Sequence, residues 1–205
     1  MLKKENIIYL TDKYLYMYSS KKNKKYKFKM DEGIILTGKI ANYQKFIKRY
    51  FEILKEQKVN NSFIGEKLHL IVNHNYTDVD RFIIQKIFLY FNYRNIKIDD
   101  DINYYKLNNN NVWLNLQDKY FTIYFYNKYG EKEYFLIKNN EFKNNNDLNK
   151  YIKYLVDAKD LFLIGDDNKV REMYYSFEKK FSNITYTFSN NEFYLIDKCL
   201  KKIEV

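Results

Sequence analysis

The side chains that could do chemistry in this chain are few, and their spacing restricts what they could do. Asp99, Asp100 and Asp101 form a run of three acids. Carboxylates on adjacent strand ends could hold two metal ions for phosphodiester hydrolysis. Runs of acids ordinarily face solvent, so no metal site is expected there. His69 and His74 are the only histidines, and no third nitrogen or thiolate is spaced to complete a zinc site with them. Cys199 is the only cysteine, so the chain has no internal disulfide and no Cys-based metal centre. It stands beside Leu200 on an apolar helix and reads as a structural thiol. Trp113 and the Tyr- and Phe-rich strands could stack nucleic-acid bases. They alternate with aliphatic residues at strand period, however, which is the pattern of a core.

The elements that must position these groups come in a repeating order. Val112 to Tyr126 reads as two strands joined at Asp118-Lys119, with Val112, Leu114 and Leu116, then Phe121, Ile123 and Phe125, at period two. Ile7 to Tyr18 is a shorter hairpin turning at Thr11-Asp12. After each hairpin the same order is predicted: a third strand, a helix, a strand, a helix and a strand. In the first half the strands fall near 6–10, 13–19 and 24–30. A helix runs from Ile40 to Lys58 with Tyr43, Phe46, Ile47, Tyr50, Phe51 and Leu54 inward. Leu68 to Val72 is a strand apolar on both faces. Thr77 and Asp80 cap a helix whose apolar face is Val79, Phe82, Ile83, Ile87, Tyr90 and Phe91. Ile96 to Ile98 closes the unit. In the second half, strands near 112–117, 120–126 and 133–138 precede a helix over Asp147 to Val156 and a strand over Leu161 to Ile164. A helix marked by Val170 and Phe181 follows, then a strand over Ile184 to Phe188. Ser189 with Glu192 predicts a cap for a last helix carrying Phe193, Ile196, Leu200 and Ile203. The division is residues 1–107, an Asn-rich linker 108–111, and residues 112–205.

Composition narrows the function classes. The chain has 205 residues, of which 46% are hydrophobic and 20% aromatic, which excludes disorder throughout. Lys and Arg number 36 against 26 acids, a formal charge of +10. Such an excess suits an acidic partner, a nucleic acid or an anionic membrane surface. The lysines are spread along the whole chain, though, and compositional drift explains them as well. Lys21 to Lys29 could lie against anionic lipid, but reads better as a hairpin tip and an edge strand on which lysines discourage pairing. The start has no signal-peptide pattern and no apolar run approaches bilayer length. A cytoplasmic protein is expected, with the inner face of the membrane left open.

The doubled unit resembles the actin-like, ribonuclease-H-like superfold, and the local matches are nearest to the bacterial actin family, MreB. Gly38-Lys39-Ile40-Ala41-Asn42-Tyr43 resembles its G-V-I-A-D-[FY] stretch. Leu68 to Asp80, LHLIVNHNYTDVD, resembles V-V-[VI]-C-V-P-S-G-V-T-E-V-E, and Phe91 to Asp101, FNYRNIKIDDD, is similar to A-G-A-R-E-V-Y-L-I-E-E. Leu161 to Met173, LFLIGDDNKVREM, resembles the adenosine motif I-V-L-T-G-G-G-A-L-L-R-G-L. The resemblance implies an α/β fold of duplicated βββαβαβ units with mixed sheets. It also implies that both outer subdomains are missing, since only Ser19 to Thr37 stands where the first belongs.

The departures matter more. Where the family has I-D-L-G-T-A-N-T, this chain has Tyr9 for the Asp and Thr11 for the Gly. Where it has V-V-D-I-G-G-G-T-T-D, Asn115 and Thr122 stand for the two acids, and Gln117, Asp118 and Lys119 for the three glycines. Glycines let backbone N–H groups approach a phosphate, and Asp118 would repel one. In the adenosine motif Gly165 remains, while Asp166 and Asp167 replace the next two glycines. The resemblance therefore implies a pseudo-ATPase: no catalytic residue, no cofactor and no metal. The expected role is a scaffold or cytoskeletal adaptor in bacterial shape, division or envelope assembly, with protein partners or self-association and without nucleic acid as the obligatory partner. A PilM-like pilus or secretion scaffold, a basic nucleic-acid-binding module and a residual ATPase are the alternatives.

Overall fold

Ile7 and Ile8 are both fully buried although they point to opposite sides of one strand, and that requires cover on both faces. The computed structural model describes residues 5–56, 66–108, 111–117, 120–138, 160–165, 185–188 and 192–203. Chain contacts divide it into two compact units: Met1–Tyr104 with Leu195–Val205, and Tyr105–Tyr194. No helix among the described residues is long and apolar enough to cross a membrane.

In the first unit β1 (Glu5–Leu10), β2 (Tyr14–Ser19) and β3 (Lys24–Lys29) form an antiparallel meander. A two-stranded hairpin follows, β4 (Ile35–Leu36) and β5 (Lys39–Ile40). Then come α1 (Tyr43–Glu56), β6 (Lys67–Val72), α2 (Asp78–Tyr90) and β7 (Asn95–Asp100). The sheet order is β3-β2-β1-β6-β7, with β1, β6 and β7 parallel. The lysine-rich segment is thus an edge strand, and Lys24, Lys27 and Lys29 on it are exposed.

Phe46, Tyr50 and Ile53 of α1 and Ile84 and Phe88 of α2 fill the core over this sheet. Burying Phe46 or Phe88 stabilises the unit by about 2–3 kcal/mol each. Tyr50 and Tyr93 are buried too, and their hydroxyls satisfy each other at 3.0 Å. Thr77 caps α2 with the full reciprocal box: its side chain accepts from the Asp80 N–H, and Asp80 accepts from the Thr77 N–H. Lys39 Nζ adds an ion pair to Asp80 at 2.7 Å.

Two expectations for this unit are corrected. The helix predicted from Ile40 begins at Tyr43, because Thr37 and Gly38 both take positive φ and close the β4–β5 hairpin first. On α2 the buried residues are Ile84, Ile87 and Phe88, whereas Val79, Phe82 and Tyr90 are exposed. Apolar residues surround this helix, and the period alone did not say which side faces the sheet. Tyr43 and Phe51 of α1 are exposed as well.

In the second unit β8 (Asn111–Leu116), β9 (Tyr120–Tyr126), β10 (Lys132–Lys138), β11 (Asp160–Gly165) and β12 (Thr185–Phe188) form a sheet ordered β10-β9-β8-β11-β12. Order and sense match the first sheet strand for strand: two antiparallel pairs, then two parallel ones. Every residue of β8 is buried. Trp113 stacks on Phe162 with centroids 4.4 Å apart, so it is a core side chain rather than an exposed platform. The helices predicted over 147–156 and 169–181 lie outside the described residues, as do Asp118, Lys119, Asp166, Asp167 and Ser189.

The final helix, α3 (Tyr194–Ile203), groups with the first unit rather than with residues 112–194. Its buried residues are Leu195, Ile196 and Cys199. Glu192 and Phe193 lie in a turn ahead of it, so Glu192 is not the third residue of a helix capped at Ser189.

Candidate functional site

The tip of the first hairpin closes on itself. The Thr11 N–H and hydroxyl both donate to the Tyr14 carbonyl, at 2.9 and 3.0 Å, and the Tyr14 N–H donates back to Thr11 Oγ1 at 3.0 Å. Asp12 is buried behind the tip, and its Oδ1 accepts the Gly38 N–H at 2.8 Å. Two backbone donors of the turn, the Thr11 and Tyr14 N–H groups, are thus engaged inside it rather than offered to a phosphate. Tyr9 stacks on its cross-strand neighbour Tyr16, centroids 6.0 Å apart, and both rings are buried.

The three consecutive acids go three separate ways. Asp99 Oδ2 lies 2.9 Å from His69 Nε2, 2.9 Å from the Tyr104 hydroxyl and 3.1 Å from Lys97 Nζ. Burial works against its charge, but the hydrogen bonds from Lys97, Tyr104 and His69 hold its pKa below the usual carboxylate range. Asp100 pairs with Arg81 and faces His74 Nδ1 at 3.5 Å. Asp101 is fully buried in the short 3-10 helix Asp101–Tyr104 and accepts the His74 N–H at 3.1 Å. Each carboxylate thus has protein donors, and among the described residues no three His, Cys, Asp or Glu side chains converge to hold a metal ion. His69 is buried, and desolvation lowers its pKa despite the neighbouring Asp99 charge. Cys199 is buried under Tyr104, and burial pushes its thiol up to about 11, which leaves it un-ionised and inert.

In the second unit the strand register pairs Asn115 directly with Thr122. Asn115 Nδ2 donates to the Tyr105 hydroxyl at 3.1 Å, and Gln117 Nε2 donates to Asn115 Oδ1 at 2.8 Å. Thr122 is fully buried, and its hydroxyl has no hydrogen-bond partner among the described residues. Gly165 lies opposite Leu116 with φ +132°, and a Cβ there would meet the Leu116 carbonyl oxygen at 2.0 Å. Strand approach alone therefore demands this glycine. The sequence showed neither this contact nor the bonds from Gly38 to Asp12 and from Asn115 to Tyr105, because all three link residues distant in the chain or joined only by pairing.

No protein-family model matches the sequence, and no curated protein matches it either. Solved structures do. MreB 5 of Spiroplasma citri bound to AMPPNP superposes with a TM-score of 0.68 at 9% identity, over 98% of this chain and 96% of that one. The fold is actin-like. EutJ from Carboxydothermus hydrogenoformans matches with a TM-score of 0.65 at 7% identity, over 95% and 88% of the two chains. MamK, in a double helical filament, matches with 0.59 at 8% identity, over 98% and 99%.

Within this actin-like fold, the two positions where the resemblance puts carboxylates in the second hairpin do face each other, as Asn115 and Thr122. Neither side chain carries a charge, and the two are strand neighbours in register without a hydrogen bond between their side chains among the described residues. In the first hairpin the corresponding place belongs to a packed tyrosine pair.

Proposed function

We propose that this chain is a non-catalytic actin-like scaffold that works by self-association through the outer face of α2. The observation that carries this reading is an apolar stripe left exposed among the described residues. Val79, Phe82, Leu89 and Tyr90 are 66%, 58%, 40% and 71% exposed, and at 3.6 residues per turn all four fall within about 100° of one side of the helix. Single exposed apolar residues are ordinary, but a contiguous row of large ones marks a contact surface. Lys86 lies in the same row, its Nζ 5.1 Å from the Phe82 ring. Asp78 is exposed eight residues earlier, about 12 Å along the helix. Two antiparallel copies of α2 crossing at Phe82 would set Asp78 of each copy opposite Lys86 of the other. The stripe is therefore complementary to itself in charge as well as apolar. The filament formed by MamK supports self-association by analogy.

Loss of hydrolysis is the second part of the proposal, supported by the engaged Thr11 and Tyr14 N–H groups and by the side chains of Tyr9, Asn115 and Thr122, which carry no carboxylate. By analogy with MreB, the setting is bacterial shape, division or envelope assembly, on the cytoplasmic side of the membrane.

Sedimentation velocity across a concentration series tests the reading. The native chain should associate, and Phe82→Glu should stay monomeric while keeping the native circular dichroism, since Phe82 is mostly exposed and stands outside the buried core cluster. A native chain that stays monomeric, or a variant that associates equally, overturns the scaffold reading. So does assembly that appears only when DNA or RNA is added, which would favour a nucleic-acid module.

A further inference from the structure

We infer that a cleft at the N-terminal ends of β1, β6 and β7 binds a small hydroxylated phosphate or carboxylate. The cleft has a volume of about 540 Å³, within the range of small-molecule sites. It lies at the opposite end of the strands from the Thr11–Asp12 tip and the Asp99–Asp101 run, and it shares no residue with them. Lys67, Arg94 and Lys97 line it, against one acid, Glu5.

The decisive feature is which of these groups already have partners. Glu5 faces Lys67 at 3.9 Å, and Lys97 is held by Asp99 at 3.1 Å. The nearby Glu66 carboxylate accepts from Asn6 Nδ2. The Arg94 guanidinium has no acid and no side-chain hydrogen bond among the described residues, and neither have the amides of Gln85 and Asn95 in the same cleft. A guanidinium presents its N–H groups as a planar fork that suits a carboxylate or phosphate in two parallel bonds. Two primary amides offer donors and acceptors together, which suits hydroxyl groups. The half-buried Ile96, beside its buried strand partner Leu68, gives the cleft an apolar floor for the carbon skeleton. One unneutralised fork, two unengaged amides and an apolar floor thus describe a hydroxylated organic anion. The lysines on either side add a field that attracts it without being its fixed ligands.

The full chain would be titrated with glucose 6-phosphate, with citrate and with vesicles of anionic phospholipid, at about 0.15 M salt. Calorimetry should show saturable binding of at least one free anion, with a dissociation constant of about 0.1–1 mM. The backbone resonances of Arg94, Asn95 and Lys97 should shift in parallel. Arg94→Ala should weaken binding about tenfold or more, and Gln85→Ala should weaken it to a lesser extent. Arg94→Lys keeps the charge but loses the fork, so it should recover only part of the affinity. Arg49→Ala removes an equal charge from α1, where Arg49 faces Glu52 and Glu56, and should bind as the native chain does. The Phe82→Glu variant should also bind normally, which separates this site from the self-association surface. Equal binding by Arg94→Ala, binding to vesicles alone, or no saturable binding of either free anion overturns the inference.

Discussion

The Tyr104 hydroxyl stands 2.9 Å from His69 Nε2, and the same oxygen is 2.9 Å from Asp99 and 3.6 Å from Cys199 Sγ. One phenol thus joins the buried end of β6, the edge strand β7 and the final helix. Tyr104→Phe should cost about 1–2 kcal/mol, because it leaves His69 and Asp99 short of a partner in a buried place. Urea unfolding should show a lower midpoint at an unchanged slope. Amide hydrogen exchange should rise first in α3, which loses one of its polar ties. Unchanged exchange in residues 194–203 would show that Leu195, Ile196 and the Lys25–Asp197 ion pair hold α3 without it.

Stability should fall on mild acidification, through His69. Burial lowers its pKa from the ordinary 6.5, and outweighs the opposing charge and hydrogen bond of Asp99. Above 6.5 the imidazole is neutral in both folded and unfolded chains and contributes no pH dependence. As the pH drops through 6.5 toward the folded value, the unfolded chain takes up the proton first and stability falls, by at most about 1.4 kcal/mol per pH unit. Below the folded value the loss is constant. Asp80, Asp99 and Asp100 sit below the ordinary 3.8. Their contribution is present above 3.8 and disappears at more acidic pH, so the two effects separate. Denaturant unfolding between about pH 4.5 and 7 should show the slope in the native chain and a flatter profile in His69→Gln.

Gly165→Ala should destabilise the second unit by about 2–4 kcal/mol, from positive-φ strain together with overpacking against the Leu116 carbonyl. Thermal unfolding reads this directly. A loss below 0.5 kcal/mol, roughly the effect of an ordinary surface substitution, would mean that β11 and β8 can separate locally. Nucleotide is not needed for this effect, so adding Mg-ATP should leave the variant and the native chain equally far apart.

Mg-ATP itself should neither bind tightly nor be hydrolysed. Calorimetry and a phosphate-release assay are expected to give no saturable micromolar signal. A lone lysine such as Lys13 supplies charge but not the backbone cradle and metal carboxylates that phosphoryl transfer requires. Micromolar binding that is lost on changing Lys13 or Lys119 would restore the residual-ATPase alternative.

Much of this architecture was legible before any coordinates. Period-two alternation located β1, β2, β8 and β9 to within a residue or two. The Thr77–Asp80 box located the start of α2, since capping is a local bargain between neighbours. That Tyr9, Thr11, Asn115, Gln117 and Thr122 stand where the resemblance puts acids and glycines is a reading of residue types along the chain. Tertiary structure decided the rest. Which side of α2 faces the sheet depends on competition between two apolar faces, and Ile84 and Phe88 won it over Val79 and Phe82. The place of α3 depends on Cys199 reaching Tyr104, 95 residues away. The need for Gly165 arises from a carbonyl on a neighbouring strand, and among the described residues Arg94 meets no acid, since Glu5 faces Lys67 and Glu66 accepts from Asn6. Periodicity and caps are short-range and leave their mark in the sequence. The choice among faces, partners and free donors is made by packing between distant residues, and only the folded chain shows it.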